Sequence, residues 1–289
     1  MDFPIDTRSS ASDTGKVMNG ESERIGVGVI AGSGIYAFPG EETEELRVET
    51  RFGDAQVAVT RVGARRVGFV SRHRPGHRFL PHMIPHRANL AALKQLGAQA
   101  VIATTAVGAV DPALPLGQPV LFHDLYFPEN RLPNGETCTI FTEPGAPDRG
   151  HLIPDQPFSP RLRRRIELSA KELGLEAGIG GVYGHVNGPR FNTEAEIGPM
   201  KTAGVSAVSQ TCGPEAVLAG ELELPYALVG FPVNYTPGAG DTGTKADLDR
   251  LLALSKKVLP QLVLRTIGSL EEDDFAFDYG YVYRVEGGI

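Results

Sequence analysis

An oxyanion such as phosphate is held by a cation that offsets its charge and by several short donors that meet its oxygens. This sequence offers such a set in scattered pieces. Ser33 stands between Gly32 and Gly34, in a turn where backbone can approach a ligand closely. Arg72 and His73 open a segment, 72–87, that also contains Arg74, His77, Arg78, His82, His86 and Arg87 and no acidic residue. Interleaved Pro75, Gly76, Pro81 and Pro85 make that segment an ordered loop rather than a solvated face. Thr105, the N–H of Ala106, and Thr211 add further donors. The pieces do not make a nucleotide motif. There is no Gly-Lys-Ser/Thr, and the turn at 32–34 lacks the third glycine of a dinucleotide fingerprint.

To meet, these residues need elements that carry them to one place. Short apolar runs predict strands over 25–31, 56–62, 66–71, 100–105, 119–123, 181–186, 205–209 and 226–233. Helical spacing predicts helices over 86–96, 159–173, 193–203, 214–223 and 245–267. Ser159 before Pro160 reads as an N-cap and first helical position, and Thr193 with Glu196 as a capping box. Strand and helix alternate, so the fold class is α/β: a single domain with a mixed, mostly parallel twisted central sheet flanked by helices. In such sheets ligands bind beyond the carboxyl ends of strands, where residues 32–34, 72–73, 104–106 and 210–211 fall. The proline-rich stretch 127–158 is long for a structureless loop, which marks it as functional or partner-facing.

Hydrophobic residues make up 41% of the 289, enough for a sizeable core. Residues 1–24 are polar and aperiodic and are expected to form a disordered leader. The domain is expected over 25–269. An acidic-aromatic tail over 270–289 is expected to be disordered or to dock on a neighbouring subunit. A net charge of −7 argues against a nucleic-acid partner. No run is long and apolar enough for a membrane span or a signal peptide, so the expected compartment is cytoplasmic. Cys138 and Cys212 sit in no metal pattern and read as ordinary thiols, so no metal is expected.

Five stretches, in order, resemble one family: IGVGVIAGSGIY (25–36), SRHRPGH (71–77), PHRANLAALKQLGAQAVIATTAVGAV (85–110), GHVNGPRFNTEAE (184–196), and TCGPEAVLAGELELPYALVGFPVNY (211–235). The family is the trimeric purine nucleoside phosphorylase and 5′-methylthioadenosine phosphorylase family. The pattern is nearest the bacterial 5′-methylthioinosine phosphorylases. The resemblance implies phosphate contacts at Ser33, Arg72, His73, Thr105, Ala106 and Thr211. It implies stacking on the base by Phe191, base contacts at Asn192 and Asn234, and a sugar contact at Gln210. His77, and His151 of the partner subunit, match positions near the 5′ end of the sugar. A homotrimer, or a dimer of trimers, with sites at its interfaces is expected, with a purine nucleoside and phosphate as its partners and no cofactor beyond that co-substrate.

Breaking the glycosidic bond builds positive charge on the ribose and negative charge on the base, so a donor at the purine N7 favours departure. Asn234 can hydrogen-bond N7 and a 6-oxo group but cannot hand over a proton, which suits hypoxanthine or guanine better than adenine. Asn192 stands where 6-oxopurine members carry Glu, and Gln210 where the family carries Met. A modified nucleoside or 5′-methylthioadenosine is therefore the alternative substrate, and a catalytically silent nucleoside-binding protein the alternative role.

Overall fold

The computed structural model describes residues 24–32 and 34–285, so Ser33 and all but Arg24 of the expected 1–24 leader lie outside the described residues. The chain folds as β1 (Val27–Ala31), β2 (Glu41–Thr50), β3 (Gly53–Val62), β4 (Arg65–Ser71), α1 (His86–Gln95), β5 (Ala100–Ala109), β6 (Val120–Tyr126), β7 (Gly150–Pro154), α2 (Pro160–Glu172), β8 (Gly178–His185), α3 (Glu194–Thr202), β9 (Val205–Ser209), α4 (Cys212–Glu221), β10 (Tyr226–Tyr235), α5 (Lys245–Ser269) and β11 (Gly280–Arg284).

Nine strands form one sheet in the order β10-β6-β8-β9-β5-β1-β4-β3-β2. Because β10 also pairs with β5, the strands β5, β9, β8, β6 and β10 close into a small barrel. The pairings β1–β4, β1–β5, β5–β10, β6–β8 and β8–β9 are parallel. The outer hairpins and the pairings β5–β9 and β6–β10 are antiparallel. The fold is thus the expected mixed α/β class, with a closure that linear patterning does not show.

The central strands are buried on both faces, as their unbroken apolar runs require. Successive residues of β5 point to opposite sides, with Val101 and Ala103 packing in a layer with Leu90 and Leu93 of α1 and Leu218 of α4. Ile102 packs on the other side with Leu162 of α2 and Leu262 of α5. Ser159 accepts a hydrogen bond from the Leu162 N–H, the cap expected at the start of α2, worth about 1 kcal/mol.

Three expectations are corrected. Strand β2 was not expected, because EETEELRVET carries little β-propensity. It forms by pairing with β3 while Leu46 and Val48 pack on the core. The stretch 127–158 is not structureless, since it contains β7. The acidic-aromatic tail, described as far as Val285, packs on its own chain. Its strand β11 pairs antiparallel with β7, Tyr279 is buried, and the Tyr279 hydroxyl accepts from the Tyr226 N–H at 3.0 Å. Arg165 of α2 anchors the tail further through Asp274 at 2.8 Å. Among the described residues no helix is long and apolar enough to cross a membrane.

Candidate active site

Strand register assembles the site. Parallel pairing sets Gly230 beside Thr105 and Phe231 beside Ala106, and a bulge after Pro232 sets Asn234 beside Gly108. Strand β9 runs back along β5, with Val208 opposite Gly108, so the residues after it return toward Thr105. The Thr105 and Ser209 hydroxyls meet at 2.9 Å. Helix α4 begins directly after Thr211, so the positive end of its dipole faces this point.

These residues line one cleft of about 620 Å³. His73, His77, Thr105, Ala106, Phe191, Asn192, Gln210, Thr211 and Asn234 all border it. At one end Thr105, Ser209 and Thr211 supply hydroxyls. Toward the other, Asn234 donates one amide hydrogen to the Tyr235 carbonyl at 2.9 Å, leaving a second N–H and Oδ1 for a ligand. Leu248 and Leu252 of α5 add an apolar flank. Among the described residues no group of three or more His, Cys, Asp and Glu is placed to hold a metal ion.

His73 Nδ1–H donates to the Phe79 carbonyl at 2.8 Å, which fixes that tautomer and leaves Nε2 for a ligand. Burial, reinforced by the adjacent Arg72 charge, pulls the His73 imidazole down to about 4. The ring of His77 stacks on it at 4.3 Å. His73 is therefore a neutral partner near pH 7, not a cation.

Arg72 is placed differently from the expected direct contact. It is buried and does not line the cleft. Its Nε and Nη2 bond the two carboxylate oxygens of Glu215 at 2.6 and 2.9 Å. Its Nη1 donates to the Thr104 carbonyl at 3.1 Å, and Nη2 lies 3.5 Å from Cys212 Sγ. A Cβ on Gly32 would stand 3.1 Å from Nη1, so the missing side chain keeps the turn and the guanidinium in contact. Burial opposes ionisation of Glu215, but the Arg72 charge and hydrogen bonds override it and hold the carboxyl at about 2. Tyr226 also donates to Glu215, at 2.9 Å. The ion pair thus braces the residues on either side of it, Thr104 before Thr105 and Cys212 after Thr211.

The end of the cleft at Phe191 rests on loops. Phe191 is 77% exposed. The Gln210 amide donates to the Arg190 carbonyl at 2.9 Å, so the expected sugar contact also fastens the loop carrying Phe191. Glu196 accepts from the Thr193 N–H at 2.9 Å and pairs with Arg190 at 2.6 Å, a capping role as its spacing implied. His151 lies on β7 opposite Tyr283 and borders no part of this cleft. Ser33 lies outside the described residues, although Gly34 borders the cleft.

Sequence reasoning missed Ser209, Glu215 and Lys256. Ser209 ends a strand pattern and could have been counted with Thr211. Glu215 is one of two buried acids in the otherwise apolar α4, a pattern that demands buried partners. Lys256 follows Leu248 and Leu252 at four-residue steps, one face of α5.

The sequence model of the Phosphorylase superfamily matches residues 27–268. The 6-oxopurine nucleoside phosphorylase of Pyrococcus furiosus is 34% identical over 247 residues, 83% of this chain and 91% of that protein. A probable S-methyl-5′-thioinosine phosphorylase of Methanopyrus kandleri is 36% identical over 239 residues, covering 82% and 88%. Among solved structures, methylthioadenosine phosphorylase from Schistosoma mansoni in complex with tubercidin superposes with a TM-score of 0.74 at 24% identity, covering 87% of this chain and 95% of that one. That likeness concerns the fold.

Proposed function

Because the chain belongs to the Phosphorylase superfamily, we propose that it is a pentosyltransferase that cleaves a 6-oxopurine nucleoside with inorganic phosphate. The products are the free base and a ribose 1-phosphate or its 5′-substituted derivative. The observation that carries the reading is a single cleft lined by the hydroxyls of Thr105, Ser209 and Thr211 and, beside Gly108 three residues further along β5, by the Asn234 amide. That spacing suits an anion and a purine with a sugar between them.

Phosphate sits against Thr105, Ala106, Thr211 and neutral His73. As the C1′–N9 bond lengthens, the electron pair goes to the base and positive charge develops on the ribose. Bound phosphate stabilises that cation and then forms the new C1′–O bond. The free Asn234 N–H meets N7 as negative charge grows there, while Phe191 and Asn192 border the ring. The chemistry uses phosphate as co-substrate and no resident cofactor. The apolar flank of Leu248 and Leu252 suits a methylthio group at the 5′ carbon, beside His77. The active form is a homotrimer in the cytoplasm, in which the partner subunit's His151 completes the 5′ end. Relatives named for 6-oxopurine nucleosides and for methylthioinosine support this substrate class.

Inosine, guanosine, 5′-methylthioinosine and 5′-methylthioadenosine, each with phosphate, test the reading. Free hypoxanthine with a sugar 1-phosphate is the expected result. Absence of base release from all four sinks it, as does release that proceeds equally without phosphate.

A further inference from the structure

The cleft is rich in hydrogen-bonding groups but holds no carboxylate. Among the described residues that line it there is no aspartate and no glutamate. Acids do stand close by in sequence, and each is turned to another task. Glu196 accepts from both terminal nitrogens of Arg190, at 2.9 and 2.6 Å, and from the Thr193 N–H at 2.9 Å. Glu194 lies against the loop after β10, where a Cβ on Gly238 would stand 2.7 Å from its Cγ and 2.9 Å from its Oε1. Asp241, on that same loop, accepts from the Gly243 N–H at 2.9 Å.

What remains for the rim of a base is amides. Three side-chain amides border the cleft: Asn192, Gln210 and Asn234. Gln210 is committed to the Arg190 carbonyl. Asn234 keeps one N–H and Oδ1 for N7 and the 6-oxo group. Asn192 follows Phe191 directly and is half-buried, and no hydrogen bond among the described residues engages its amide. It is the amide left for the other polar edge of the ring, N1 and C2.

The substituent at C2 then decides the fit. Hypoxanthine presents one donor on that edge, N1–H, beside a C2–H that needs no partner. Guanine presents two parallel donors, N1–H and the 2-amino group. A carboxylate accepts both at once, whereas an amide offers one acceptor and one donor. With Asn192 Oδ1 on N1–H, the Nδ2 hydrogens face the 2-amino group, donor against donor. A donor shut into a site without an acceptor is costly, and a polar mismatch rejects a substrate more strongly than a gap does.

We propose that Asn192 is a specificity-determining residue that selects hypoxanthine-bearing nucleosides and rejects those with a 2-amino group. This selectivity rests on the reading of the cleft as a 6-oxopurine nucleoside site and narrows it to one kind of base.

The test measures kcat/KM for inosine and for guanosine, with phosphate, on wild type, Asn192→Gln and Asn192→Glu. A ratio of two substrates on one preparation does not depend on how much of a variant has folded. Wild type is expected to favour inosine by about tenfold, the cost of one unpaired donor. Asn192→Glu should shift that ratio toward guanosine by about tenfold or more. Asn192→Gln, equal in length to Glu but uncharged, should keep the wild-type preference. Equal use of both nucleosides by wild type overturns the proposal, as does one common ratio in the Glu and Gln variants. If wild type releases no base from either nucleoside, the assigned reaction fails, and calorimetric titration of intact inosine and guanosine in the presence of phosphate decides the selectivity on its own. Tighter inosine binding by wild type that turns toward guanosine in Asn192→Glu upholds it. A ratio unmoved by the carboxylate, or no binding of either nucleoside, overturns it.

Discussion

The two ends of the cleft are built by different means. The hydroxyl end stands on core strands β5 and β9 and on the first turn of α4, and behind it lies a buried ion pair whose four hydrogen bonds tie the end of β4, β5, α4 and β10 together. The end proposed for the base stands on the loop before α3, where Phe191 is open to solvent and one Gln210 bond fastens the backbone. The difference teaches which part of the ligand the fold itself commits to. A site for a small anion common to every turnover can be rigid, because nothing about it varies. A site for a base that must enter and leave is better placed on segments that close around it.

Removing the brace should have the largest effect. Glu215→Ala leaves the Arg72 charge buried without a partner, and a loss of about 3–5 kcal/mol in urea unfolding is expected. The double variant Arg72→Met, Glu215→Leu should regain much of that stability while the phosphate KM stays high. Equal stability of Glu215→Ala and wild type would remove the contrast between the two ends.

Next comes the base contact. Asn234→Ala should lower kcat/KM for a 6-oxopurine nucleoside by about a hundredfold, the scale for losing one donor at a developing negative charge. Asn234→Asp should shift preference toward 6-amino substrates. A uniform loss on both substrate types would say that Asn234 shapes the bulge rather than reads the base.

Acid should expose a smaller cost, and it belongs to the braced end. Burial lowers the folded-state value of His73 to about 4 and that of His185 to about 3, where the nearby His86 adds to the shift. Both therefore bind fewer protons folded than unfolded between the ordinary histidine value, about 6.5, and these depressed ones. Their stabilising contribution is intact above that ordinary value and is lost as pH falls toward 4 and then 3. Unfolding free energy measured in urea from pH 7 to 4 should fall, and less steeply in His73→Asn. An identical slope in the variant would place His73 in contact with water.

The smallest effect on folding is expected at Phe191. Because the ring is exposed, Phe191→Ala should change stability by less than about 0.5 kcal/mol. It should still raise the nucleoside KM several-fold, leaving the phosphate KM unaltered. A phosphate KM that moves in step would show that the two ends are coupled.

Much of the α/β alternation was legible from residue pattern. The buried strands carry unbroken apolar runs, and Ser159, Thr193 and the glycines after helices punctuate them. Strand β2 was not legible, because its Glu-rich sequence becomes a strand only by pairing along β3. The tail was read as disordered for a similar reason. Its acids and tyrosines look solvated until Arg165 and the Tyr226 N–H meet Asp274 and Tyr279. At the site, hydroxyls and amides were visible as types, whereas the partners that neutralise or position them were not. Glu215 lies 143 positions from Arg72 in sequence, and no local spacing joins them.

What the sequence by itself determined is the inventory: which short donors, imidazoles and amides exist and which elements carry them. Those follow from periodicity and capping, interactions among residues a few positions apart. The tertiary structure alone decided that Arg72 faces a carboxylate rather than the cleft, that β10 closes the barrel, and that Lys256 reaches the turn at Gly34. Those are contacts between distant segments, and charge, burial and available space at such a contact exist only once the chain has folded.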